Sequence, residues 1–166
     1  MFTWLMLSVA TAETPDSELE GDVIATRTIP VPSTTLLATL SDLRHYPDMW
    51  PDGCVTNWEF GERQTGIGAT AQATYRAPMG WFRKLTLVIS DISDRRIDID
   101  HPGNKGFVTT YSLEPVAEGT QVEMHTWIYA PPKPFRGIYF NRIHPHFLSC
   151  HEGFLESLEL TVTVEQ

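Results

Sequence analysis

The sequence predicts an α+β domain in which a seven-stranded antiparallel sheet packs against one long C-terminal helix. Three observations predict it. Runs of alternating apolar and polar residues follow one another from Val55 to Ala130, and turn segments such as Pro78-Met79-Gly80, Pro102-Gly103-Asn104 and Ala117-Glu118-Gly119 separate them. Turns at such intervals are what a meander of antiparallel hairpins requires. A β-branched run, Val23–Ile29, stands ahead of that series and is closed by Pro30 and Pro32. Beyond it, Phe135, Tyr139, Ile143, Phe147, His151, Phe154 and Leu158 recur at spacings of three and four, which makes one apolar helical stripe. One sheet face and one such stripe have to cover each other.

Residues 1–12 read as a secretory signal peptide, since the apolar run Phe2–Ala10 is too short to span a bilayer and leads into Ala10-Thr11-Ala12. No Lys or Arg precedes that run, and the competing reading is an apolar N-terminus docked on the domain. Cleavage there predicts a periplasmic or secreted protein; without it the protein is cytoplasmic. Residues 13–21 are acid-rich with a Pro and a Gly and read as a flexible lead-in. The folded domain is expected over residues 22–164, as a single unit.

After the first strand, Thr34–Asp42 places Leu36, Leu37 and Leu40 on one side and reads as a short helix capped by Ser or Thr. A second helical turn is expected over Arg44–Met49, closed by Pro51, Asp52 and Gly53. Strands follow at Val55–Glu62, Ala69–Ala77, Phe82–Ile92, Arg95–Asp100, Phe107–Leu113 and Thr120–Ala130. Alternation sorts their faces. Leu85, Leu87 and Ile89 share one face, as do Ile97 and Ile99, the set Phe107, Thr109, Tyr111 and Leu113, and the set Val122, Met124, Thr126 and Ile128. Ala69, Ala71, Ala73 and Tyr75 give a strand of mostly small inward side chains, which leaves room. Pro131-Pro132-Lys133-Pro134 is a rigid connector, and Pro145 is expected to kink or break the final helix, read from about Phe135 to Leu160.

A net charge of −9 with Lys and Arg scattered in ones and twos argues against a nucleic-acid partner, whose phosphates need clustered cations. No apolar stretch is long enough for a stable membrane span. Cys54 and Cys150 are the two cysteines. They can form one bridge in an oxidising compartment, but the reading preferred from sequence is two unpaired buried thiols.

Three stretches carry a family resemblance. Thr28-Ile29-Pro30-Val31-Pro32 resembles a first strand ending before a helix, Tyr46-Pro47-Asp48-Met49-Trp50-Pro51 a "W-P" segment ahead of strand two, and Gly66-Ile67-Gly68-Ala69 a "G-x-G" lead into strand three. In that order and spacing, over about residues 22–160, the chain resembles the helix-grip fold of the START-like superfamily, often called SRPBCC. That superfamily includes polyketide cyclase/dehydrase-like proteins and the major birch-pollen allergen group. The resemblance implies a curved sheet wrapped around the long helix, with a cavity between them for lipids, sterols, polyketides or other apolar molecules.

On that expectation the ligand-binding residues are Tyr75, Leu85, Leu87, Ile99, Phe107, Tyr111, Met124, Tyr139, Ile143, Phe147, His151 and Phe154. Arg76, Arg83, His101 and Tyr111 are candidate polar groups at the cavity mouth. His151, on the stripe facing the cavity, is either a hydrogen-bonded core histidine or a ligand anchor and acid–base group. His144, His146, Cys150 and His151 lie close in sequence, but on a helix their directions do not converge, and zinc needs three or four convergent ligands. Neither a metal nor a cofactor is expected. No G-x-S-x-G elbow, dinucleotide fingerprint or H-E-x-x-H motif occurs. The function expected is therefore binding or transport of a hydrophobic small molecule. The alternative is a polyketide cyclase/dehydratase-like enzyme using His151 with Tyr111 or an arginine. A third reading, action through protein contacts, would draw on Trp127 and Tyr129 exposed together.

Overall fold

The computed structural model describes residues 22–78, 81–104, 107–128 and 133–164. The expected signal peptide 1–12, the lead-in 13–21, Tyr129 and the Pro131-Pro132 part of the connector lie outside the described residues. Strands β1 (Val23–Ile29), β2 (Val55–Phe60), β3 (Thr70–Ala77), β4 (Trp81–Ser93), β5 (Arg96–Asp100), β6 (Val108–Val116) and β7 (Gly119–Trp127) form one antiparallel sheet. Its order is β1-β7-β6-β5-β4-β3-β2, a meander of consecutive hairpins with β1 added beside β7. The chain leaves β1 at one edge and re-enters as β2 at the other, so residues 30–54 must cross the width of the sheet. Helix α1 (Ser33–Leu40), a 3-10 turn (Leu43–His45) and α2 (Tyr46–Met49) make that crossing. The sheet is curled, with register shifts between Thr56 and Glu59, where Asn57 has a φ of 55°, and between Ile89 and Asp91.

The cap expected for α1 is absent. Pro32 occupies the cap position and has no side-chain acceptor to offer; Thr39 and Ser41 instead donate to the carbonyls of Thr35 and Ala38. Leu36 and Leu40 are nevertheless buried, so packing rather than capping holds this helix.

At the C-terminus α3 (Lys133–Ile138), a π turn (Tyr139–Ile143) and α4 (His144–Val164) run on without a break. The helix does not stop at Pro145. That ring cannot donate to the carbonyl four residues back, and the turn just ahead of it shifts register, the His144 N–H donating to the Tyr139 carbonyl. The interruption is absorbed as a change of hydrogen-bond register.

Helix α4 buries Phe147, Cys150, His151, Phe154, Leu155, Leu158 and Val162. Three features fix it in place. Arg27 on β1 pairs with Glu159 at 2.5 Å. Gly153 lets the Pro51 ring approach, for a Cβ there would stand 2.4 Å from Pro51 Cγ. Beside that contact Cys54 and Cys150 form a disulfide, with Cα atoms 5.9 Å apart. This corrects the expectation of two free thiols: the turn before β2 is folded under α4, a proximity that 96 residues of separation conceal.

Candidate functional site

Between the concave face of the sheet and α4 lies a small, partly open and mostly apolar cavity of about 20 Å³. That is room for about one water-sized group, whereas drug-sized ligands occupy pockets of about 300–1,000 Å³. The interior therefore leaves only a small space. Ala69, Ala71 and Ala73, expected to leave room, are buried but do not line it.

Of the residues singled out from sequence, Tyr75, Leu85, Leu87, Ile99, Phe107, Tyr111, Met124, Phe147 and His151 line this space. Tyr139, Ile143 and Phe154 do not. Tyr139 lies edge-on to Phe140 and His144, Ile143 is half-buried against the core, and Phe154 packs on Tyr46, Trp50 and Tyr111. Arg76 and Arg83 are exposed and line no part of the cavity, while His101, expected at the mouth, is buried in its wall.

Sequence reasoning missed Tyr46, Trp50, Thr109 and Thr126 as lining residues. A signal for some of them was present. Ile97 and Ile99 point inward, and the same alternation carried one step past β5 delivers His101. Thr109 and Thr126 both fall in inward sets, and the β6–β7 register sets them directly opposite each other. Tyr46 and Trp50 come from the crossing segment, which no period describes. Trp50 lies edge-on to His151, with ring centroids 5.8 Å apart and planes at 87°.

The polar atoms of the wall form a chain. His101 Nδ1 bonds the Thr86 carbonyl at 3.1 Å and its Nε2 meets Thr109 Oγ1 at 3.0 Å. Thr109 Oγ1 lies 3.1 Å from Thr126 Oγ1, and Thr126 Oγ1 lies 2.6 Å from His151 Nε2. His151 Nδ1 bonds the Phe147 carbonyl at 2.8 Å. Burial pushes both histidines down to about 4, so both are neutral at pH 7; the charges of His101 and His144 oppose that of His151 further. Tyr111 donates to Tyr46, whose hydroxyl donates to the Leu40 carbonyl at 2.9 Å, and burial holds both phenols above their ordinary range. His151 and Tyr111 are thus bonded to different partners rather than to each other. Among the described residues the buried Tyr75 hydroxyl and Trp50 indole N–H find no hydrogen-bond partner.

The helix histidines do not converge. His144 Nε2 donates to the Asp22 carbonyl and His146 Nε2 to the Arg76 carbonyl, while His151 turns into the cavity. Cys54, His146 and Cys150 do bring ligand-type atoms within 4.8 Å of one another. Yet both sulfurs are in the disulfide, and the His146 nitrogen carries the proton it donates to Arg76. Trp127 is exposed and stacks on His125 with centroids 4.0 Å apart. Among the described residues no helix is long and apolar enough to cross a membrane.

Residues 21–148 match the protein family described as polyketide cyclase/dehydrase and lipid transport. No curated protein matches the sequence. Solved structures do share its fold. The KanY protein, solved in solution, superposes with a TM-score of 0.73 at 19% identity, covering 86% of this chain and 97% of that one. Protein TTHA0849 from Thermus thermophilus gives 0.71 at 21% identity, covering 87% and 99%. Protein NE0264 from Nitrosomonas europaea gives 0.63 at 15% identity, covering 88% and 96%.

Proposed function

This chain belongs to the polyketide cyclase/dehydrase and lipid transport family, and on that premise we propose that it binds a hydrophobic small molecule or lipid between the curled sheet and the C-terminal helix. The observation that carries the reading is the cavity between sheet and helix, walled by apolar side chains with a few polar groups among them. At about 20 Å³ it is too small for a ligand of lipid size, which has to widen it on entry. The way in is the α3–π segment, where Phe135, Ile138 and Phe140 face outward rather than into the core. The Cys54–Cys150 bridge supports export to an oxidising compartment, as the N-terminal segment suggests.

A polyketide cyclase/dehydratase-like enzyme is the second reading, favoured by one observation: two neutral histidines stand in the cavity wall. Against it, both ring nitrogens of His151 are engaged and Tyr111 is committed to Tyr46.

Mass spectrometry of organic extracts from natively purified protein, beside a denatured control, tests the choice. A stoichiometric apolar molecule in the native sample alone is the expected result and identifies the ligand class. Empty protein that also fails to take up lipids, sterols and polyketides would remove the binding reading. Turnover of a poly-β-ketone substrate, abolished by His151→Ala, would put catalysis in its place.

A further inference from the structure

The buried His101–Thr109–Thr126–His151 chain can be read by counting its protons. A carbonyl oxygen only accepts, so the bond to Thr86 fixes the proton of His101 on Nδ1, and the bond to Phe147 does the same for His151. In each neutral ring Nε2 is then a bare lone pair. Each faces a threonine hydroxyl, Thr109 at 3.0 Å and Thr126 at 2.6 Å, and accepts that hydroxyl's hydrogen bond. The middle contact, Thr109 Oγ1 to Thr126 Oγ1 at 3.1 Å, is left as two oxygens facing each other with no proton between them. Three contacts share two protons.

The deficit cannot be removed from within. Moving the His101 proton to Nε2 takes a donor from the Thr86 carbonyl, and moving the His151 proton sets a bare ring lone pair 2.8 Å from the Phe147 carbonyl oxygen. Adding a proton to one ring would complete the chain, but burial disfavours the charge. A proton donor must therefore come from outside the chain, and all four residues line the cavity.

We propose that this shortfall is the cavity's recognition element, and that the site takes an apolar ligand presenting one hydroxyl group, which donates to the Thr109–Thr126 oxygen pair. The inference rests on the binding reading above and names its ligand class. The same wall holds the complementary feature, since Tyr75 Oη and Trp50 Nε1 are buried there as donors without acceptors among the described residues. A hydroxyl can donate to the threonines and accept from one of these at once. An ether or ester oxygen can only accept, and a hydrocarbon can do neither.

The test is calorimetric titration at pH 7 with two matched pairs: dodecan-1-ol against its methyl ether, and 2-naphthol against 2-methoxynaphthalene. The wild-type protein is expected to prefer each alcohol by about tenfold, the order expected for one well-made buried hydrogen bond. The proton count then separates the variants. His151→Leu frees the Thr126 proton for Thr109, and His101→Leu frees the Thr109 proton for Thr126; either change closes the chain and should bring the alcohol-to-ether ratio near one. Thr126→Val leaves the His151 lone pair without a donor, so the preference should persist. A general loss of polarity would instead weaken the preference in all three. Nitrogen-15 spectra of the wild-type histidine rings give a second readout that needs no variant: His101 and His151 should both show protonated Nδ1 and unprotonated Nε2. Equal affinity for alcohol and ether, or rings protonated at Nε2, overturns the inference and leaves the binding reading standing. No uptake of any probe removes the binding reading, and this inference with it.

Discussion

The C-terminal helix consists of two regions that meet the rest of the molecule differently. Along α4, the disulfide, the Gly153–Pro51 contact and the Arg27–Glu159 pair hold a face that buries Phe147, Phe154 and Leu158. Along α3 and the π turn, Tyr139 is buried, but Phe135, Ile138 and Phe140 are 58%, 45% and 40% exposed. The division falls just before Pro145, where the hydrogen-bond register changes. What the contrast teaches is that one continuous helix can serve as part of the core over one stretch and as a cover over another. A proline that would weaken a uniform helix is tolerated at the join.

The largest effect expected from breaking this contrast lies on the pinned side. The bridge closes a loop with a sequence separation of 96 residues, and losing a native disulfide in a domain of this kind costs about 2–5 kcal/mol. Cys54→Ala/Cys150→Ala should lower the urea midpoint by the corresponding amount, and reduction of the wild-type protein should match it. A midpoint insensitive to both changes would mean that α4 is held by packing alone.

A smaller effect comes from the histidines buried under α4. Their folded values, about 4, lie below the ordinary value of 6.5. Well above pH 6.5 neither state binds these protons and stability does not change on their account. As pH falls from 6.5 toward 4 the unfolded chain takes up protons that the folded one refuses, so stability is lost across that window. Each histidine that must charge costs up to about 3 kcal/mol at the lower end. Because His101 and His151 face one chain, the charges of His101 and His144 oppose that of His151, and Tyr46, Tyr75 and Tyr111 are the other titratable groups lining the cavity, the protons do not add independently. Denaturant midpoints between pH 4 and 7 check this, and a flat profile would contradict the burial of the neutral rings.

How far the sequence anticipates these two regions depends on how local each signal is. Strand β1 is legible to the residue, because Val23–Ile29 is closed by Pro30 and Pro32 and its alternation is self-contained. The inward faces of β4 to β7 are legible for the same reason, and they supply much of the cavity wall. The disulfide is not legible, since Cys54 and Cys150 meet only once the crossing segment is folded under α4. Nor is the polar chain. His101 and Thr109 reveal nothing singly, and their meaning lies in a strand register that sets Thr109 against Thr126. The helical stripe misleads at one end: Phe135, Tyr139 and Ile143 keep its spacing, yet the π turn rotates that end and leaves Phe135 in solvent.

The smallest effect on stability, and the sharpest test of the division, belongs to the uncovered end. Phe135 and Phe140 are exposed and lie outside the core cluster, so replacing both by Ser should change the unfolding free energy by no more than about 0.5 kcal/mol. Amide exchange in the wild-type protein reads the same division without a substitution. Backbone groups of 133–143 lie in a segment with few buried side chains and should exchange through local opening, while those of 147–158 should wait for larger unfolding. Protection in the first stretch should be at least about tenfold lower, with the step at the π turn. Addition of a bound alcohol should raise protection in 133–143 more than elsewhere, because closing over a ligand gives that segment contacts it lacks when alone. Equal protection along the whole helix would mean that α3 and α4 open together, and the cavity would then need another way in.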